Sequence, residues 1–175
     1  MNDFETLRHK KDNLIISGIA LMLVGIWDIV KFAMAIILNP KMLLDAVEYA
    51  GIEPEQEVVG EVVFLIIFIV LLLFDFSIRC FIGLSARAEG RGRKKGWFYL
   101  IIAVLMACLL LSSLYTSAYS LFNDVEKALP DSWDSIAASS LLDILSVIAI
   151  VDIIISSVTV KKIRKKDNIQ NGEAI

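Results

Sequence analysis

Residues 58–78 read VVGEVVFLIIFIVLLLFDFSI, and from Val62 to Phe74 no polar side chain interrupts them. At ~1.5 Å per residue, a helix over this stretch crosses a ~30 Å hydrocarbon core. There is no period-two alternation of the kind a barrel strand needs, and an open sheet would leave backbone groups unpaired in lipid. The stretch therefore predicts a transmembrane helix.

Three more stretches of the same kind follow from the same reading, residues 14–38, 97–122 and 136–160. The expected fold is all-α: an integral membrane four-helix bundle of two in–out–in hairpins. Composition agrees. Of 175 residues, 57% are hydrophobic, where a soluble domain has about 45–50%, and the mean hydropathy is +0.71. A chain of this length holds one domain. The first stretch follows Arg8, Lys10 and Lys11 as a signal peptide would. Its apolar run exceeds the ~7–15 residues of a signal core, so it is read as a retained helix.

Lysine and arginine set the orientation, because they mark the cytoplasmic side of membrane helices. The N-terminal tail holds Arg8, Lys10 and Lys11. The central connection, 79–96, holds Arg79, Arg87, Arg91, Arg93, Lys94 and Lys95. The tail, 161–175, holds Lys161, Lys162, Arg164, Lys165 and Lys166. Only Lys31, Lys41 and Lys127 of the 17 basic residues lie elsewhere. Both termini are therefore expected in the cytoplasm. The GRGRKKG loop lacks the aromatic interleaving of single-strand binders and matches no phosphate loop. It is read as a topology determinant that touches anionic headgroups, with no nucleic-acid partner.

The outer loops, 39–57 and 123–135, are acidic. In the first, Met42, Leu43, Val47 and Ala50 share a helical face before Gly51 and Pro54, which predicts a short interfacial helix. Glu53, Glu55, Glu57 and Glu61 lack the spacing of a calcium loop and read as a solvated segment. In the second, NDVEKAL reads as a capped turn that Pro130 breaks, and Trp133 as an interfacial anchor.

Charged side chains at membrane depth are costly and are functional candidates by default. They are Asp28, Lys31, Asp75, Arg79, Asp143 and Asp152. Measured from the middle of each apolar run, Asp28 lies roughly 3 Å outward, Lys31 and Asp143 roughly 7–8 Å outward, Asp152 roughly 6 Å inward and Asp75 roughly 10 Å inward. Asp75 and Arg79 are spaced to pair locally while Arg79 reaches for the headgroups. Lys31 and Asp143 share a depth and are expected to pair across helices, with Asp28–Lys31 as the rival pair. Asp152 and one of Asp28 or Asp143 are left without a counter-charge. Such a carboxyl can hold a proton and donate a hydrogen bond, as a proton carrier or as glue between helices. Small residues mark the packing faces: Gly18 and Gly25 on the first helix, and Ala103, Ala107, Ser112, Thr116 and Ser120 on the third. Trp27, beside Asp28, is expected to face protein.

No catalytic, metal or cofactor motif stands out. The only cysteines, Cys80 and Cys108, lie on different helices, and the single histidine, His9, lies in the tail. The asparagine- and glycine-rich surroundings of the lipoprotein signal peptidase aspartates are absent. Where small multidrug transporters carry a first-helix glutamate, this chain has Asp28 with Lys31 beside it. The first functional expectation is a non-catalytic subunit or assembly factor of a membrane complex, self-associated or bound to another membrane protein. The second is a small oligomeric transporter or channel using the carboxylates; an intramembrane enzyme ranks last. Compact loops and isoleucine-rich helices point to a bacterial cytoplasmic membrane. If Lys31 and Asp143 pair, Lys31→Met alone will lower stability, and adding Asp143→Leu will restore much of it. Thermal unfolding in detergent measures both, and no recovery in the double variant rejects the pair.

Overall fold

The computed structural model describes residues 3–38, 57–123 and 130–170. The described residues form four helices: α1 (Asp3–Leu38), α2 (Glu57–Gly90), α3 (Phe98–Asn123) and α4 (Pro130–Gln170). Each contains a segment long and apolar enough to cross a membrane. The all-helical reading and the four spans are therefore present in the structure. The interfacial helix expected within 39–57 falls almost wholly outside the described residues.

The helices run past their apolar cores. α2 continues through Arg79 to Gly90, so the connection expected at 79–96 shrinks to 91–97. The reason is that Ile82, Ser85, Ala86 and Glu89 keep one buried face at helical spacing after the run of apolar residues has stopped. The end is set by the backbone. Gly92 has φ of 94°, its N–H bonds to the Glu89 carbonyl at 3.0 Å, and the Arg93 N–H bonds to the Ala88 carbonyl at 3.1 Å. This is a Schellman closure, which needs a left-handed residue that glycine supplies without steric cost. α1 begins at Asp3 rather than 14, and α4 carries the basic tail in helical form to Gln170. Pro130 opens α4, since proline has no N–H to lose there and its φ already suits a helix; the NDVEKAL turn it is expected to break lies almost wholly outside the described residues.

The chain divides into two compact units, Met1–Leu21 with Phe81–Ile175, and Met22–Cys80. The first holds all the buried apolar side chains among the described residues, including Leu14, Leu21, Ile82, Leu100, Ile150 and Ile153. On α4 the buried positions Ser146, Ala149, Ile150, Ile153, Ser157 and Val160 follow helical spacing. Ala103 and Ala107 of α3 are buried here too. α1 and α2 run antiparallel at close range. A Cβ on Gly18 would lie 2.6 Å from the Gly83 carbonyl oxygen, and one on Gly90 would lie 2.6 Å from the Lys11 carbonyl oxygen. Backbones approach this closely only where side chains are missing.

The second unit contains the C-terminal part of α1 and the N-terminal part of α2. Apart from Gly25 and Gly60, its one buried residue among those described is Arg79. Phe32 and Phe68 meet at 5.8 Å between ring centroids. Most apolar side chains on α2 from Val59 to Phe74 remain exposed, as lipid-facing positions are. Trp27 is 54% exposed rather than turned to protein, because the face of α1 that meets α2 is the one carrying Gly25. Ser112 and Thr116 on α3 are also exposed. No described part of the chain covers them, and the Thr116 hydroxyl donates to the Ser112 carbonyl at 3.0 Å, a local bond that needs no neighbouring helix.

Gly18→Leu should cost about 1–3 kcal/mol through overpacking, because the obstacle is backbone. Gly96→Leu is the control, since the nearest atom to a Cβ there is 4.0 Å away. Equal melting temperatures for the two variants in detergent would show that the α1–α2 approach is looser than described.

Candidate functional site

The polar residues of the first unit gather near the end where α2 stops and α3 starts. Glu89 is fully buried. Its Oε2 accepts hydrogen bonds from the Tyr99 phenol and from Ser157 Oγ, the latter at 2.7 Å. The Tyr99 and Ser157 hydroxyls are themselves 2.6 Å apart. Three oxygens thus meet pairwise, and the two hydroxyls bring only two protons to three contacts.

Oε1 of Glu89 faces Lys161 Nζ at 3.0 Å. That ammonium also donates to the Lys95 carbonyl at 2.7 Å and lies 5.4 Å from the ring centroids of both Trp97 and Tyr99. A carboxylate, a carbonyl and two aromatic faces all favour a cation there. Arg164 donates to the Glu89 main-chain oxygen at 3.3 Å, adding a side-chain partner for an α2 C-terminal carbonyl. One residue of α2 is therefore held by α3 through Tyr99 and by α4 through Ser157, Lys161 and Arg164.

A second node lies along α4. Asp152 accepts hydrogen bonds from Ser17 at 2.5 Å, Ser156 at 3.3 Å and Asn13 at 3.4 Å. All three donors are neutral, and no ion pair to Asp152 occurs among the described residues. This matches the lone-carboxyl reading of the residue and supplies partners that spacing alone did not name. Ser156 and Ser157 are neighbours in sequence, so the Asp152 and Glu89 nodes meet on adjacent residues of α4. Asn13 also lines a cavity of about 320 Å³ with Glu5, Arg8, His9 and Asp12.

The third node lies in the second unit. Arg79 pairs with Asp75 at 2.7 Å and with Asp28 at 3.1 Å. The local pair expected on α2 forms. The expected reach of Arg79 to the headgroups does not occur: its side chain is 5% exposed, and its Cδ would lie 3.1 Å from a Cβ on Gly25. The missing side chain at Gly25 makes room for the guanidinium, whose fork reaches two carboxylates at once. Asp28 thus takes a partner from α2 rather than standing alone. Lys31 lies in the second unit and Asp143 in the first, and neither is free. Ser120 lies on α3, with its side chain outside those described.

Glu89 was absent from the candidates read from sequence. It lay beyond the last apolar residue, in a stretch taken for loop. Two signals pointed to it: it is the sole acidic residue within 79–96, and Gly83 and Gly90 repeat at the seven-residue spacing of Gly18 and Gly25. Chemically, the cluster can hold a positive charge or a proton against a buried carboxylate. Among the described residues no group of three or more metal-ligating side chains occurs.

In comparison with known proteins, no family model, no curated protein and no solved structure matches the chain. Breaking a buried pair by removing one partner costs about 3–5 kcal/mol. Lys161→Met should therefore destabilise the protein strongly, and Lys161→Met with Glu89→Gln should recover part of the loss. Chemical or thermal unfolding in detergent reads the cycle; additive effects would mean that Glu89 and Lys161 do not depend on each other.

Proposed function

We propose that this chain is a non-catalytic integral membrane subunit or accessory factor of a membrane complex, with its basic end and both termini in the cytoplasm. The observation that supports this reading is the use of polar groups to join helices. Arg79 ties α1 to α2, Asp152 ties α1 to α4, and Glu89 ties α2 to α3 and α4. In lipid there is no hydrophobic drive between helices, so such links and close packing hold membrane proteins together. The bare apolar faces of α1 and α2, with Leu23, Val70 and Phe74 more than half exposed, fit lipid or an apolar face of another subunit or copy. The basic residues near Lys11, Lys95 and Lys161 collect at one end of the first unit, which fits the positive-inside rule. A bacterial cytoplasmic membrane is the compartment these features fit.

The second reading is a small oligomeric carboxylate-dependent transporter. It is favoured by Asp152, whose partners are all neutral and which meets the Glu89 node on adjacent α4 residues. Purification from native membranes in a mild detergent, with mass spectrometry of what co-elutes, separates the two. A stoichiometric second protein is the expected result. A pure homo-oligomer whose proton flux in liposomes is abolished by Asp152→Asn, with the fold retained, would sink the accessory-subunit reading. Tags on the two termini should both be reached by protease only after the membrane is opened.

A further inference from the structure

One face of α2 carries Leu84, Arg87 and Ala88 at helical spacing, and the turn after it brings Arg91, Arg93 and Lys95 alongside. Together these residues line a half-open hollow of about 330 Å³. Four of its six residues are cationic. The other two, Leu84 and Ala88, are apolar, and Leu84 is 54% exposed. Arg87 Nε is buried with no hydrogen-bond partner among the described residues. The lining itself has cations on several sides and no acid. The Schellman turn at Gly92 holds Arg91 and Arg93 to α2 through backbone hydrogen bonds. The basic side chains are thus carried on a defined turn rather than a free loop.

We propose that this pocket binds the phosphodiester headgroup of one anionic glycerophospholipid. The guanidinium groups recognise the phosphate, which suits planar, paired N–H donors. The apolar floor at Leu84 and Ala88 continues toward the α2 span, where an acyl chain runs. This location along a membrane helix favours a lipid over a soluble phosphate, because only the lipid uses the apolar floor. Basic pockets at the cytoplasmic ends of membrane helices recognise anionic lipids by the same forces. The proposal rests on the membrane reading above. It goes beyond diffuse attraction to the basic tail by assigning a single site with defined residues.

The test is native mass spectrometry of the full-length, delipidated protein in detergent, titrated with phosphatidylglycerol and separately with phosphatidylcholine. One tightly held phosphatidylglycerol, with no matching phosphatidylcholine adduct, is expected. Arg87→Gln should weaken it about fivefold, the effect of one cation near an anionic membrane surface. Because Arg87 has a buried atom, Arg91→Gln with Arg93→Gln serves as a second variant; both residues are exposed and their loss should compound. Lys162→Gln with Lys165→Gln, on exposed tail positions, should leave the adduct unchanged. Equal weakening by the tail variant, no weakening by either arginine variant, or displacement of the lipid by inorganic phosphate overturns the proposal. The titration in detergent is independent of which side of the membrane the pocket faces. The site can therefore fail while the protease test of orientation succeeds, and the reverse.

Discussion

The burial of the Glu89 carboxylate is the constraint around which the first unit is arranged. A charge removed from water must be met by opposite charge and by hydrogen bonds, or it disfavours the fold by several kcal/mol. Meeting it draws in a phenol from α3, and a hydroxyl, an ammonium and a guanidinium from α4. Each of these fixes the depth and rotation of the helix that carries it. Lys161 is fixed in turn by the Lys95 carbonyl and two aromatic rings, so the turn joining α2 to α3 is held by the same group.

The other two nodes follow the same logic with different chemistry. At Arg79 one guanidinium reaches two acids, Asp28 on α1 and Asp75 on α2. At Asp152 three neutral donors surround a carboxyl, so the link is made without a formal counter-charge. Packing between the nodes comes from absent side chains. Gly18 against Gly83 and Gly90 against Lys11 let backbones approach, and close approach supplies the van der Waals contact that replaces the hydrophobic effect in lipid. The second unit has little of this packing: a guanidinium fills the space at Gly25, and the apolar side chains point outward.

Much of the architecture was legible in the residues. Four apolar stretches gave four helices because no other backbone arrangement without a closed barrel satisfies its hydrogen bonds in lipid. The Asp75–Arg79 pair was legible because the i,i+4 spacing is local. Helix ends were not, because an apolar run marks where lipid contact stops, while a helix stops where its backbone is capped. Glu89 was hidden for that reason: on a helix it is a buried link, and in a loop it would be one acid among many bases. On α3, Ala103 and Ala107 are buried, while Ser112 and Thr116 are exposed in the single chain. Small residues permit close approach, but they do not supply the neighbour.

The sequence by itself determined the solvent, the number of spans and the segregation of basic residues, since these follow from hydropathy and charge summed along the chain. The tertiary structure decided the partners. That Arg79 turns inward to Asp28, that Asp152 is held by Ser17 and Asn13, and that Lys161 closes on Glu89 are facts of register between helices. Register depends on which glycines face which backbones and how far each helix continues beyond its apolar core. Those are pairwise, long-range quantities, and no window along a single chain contains them.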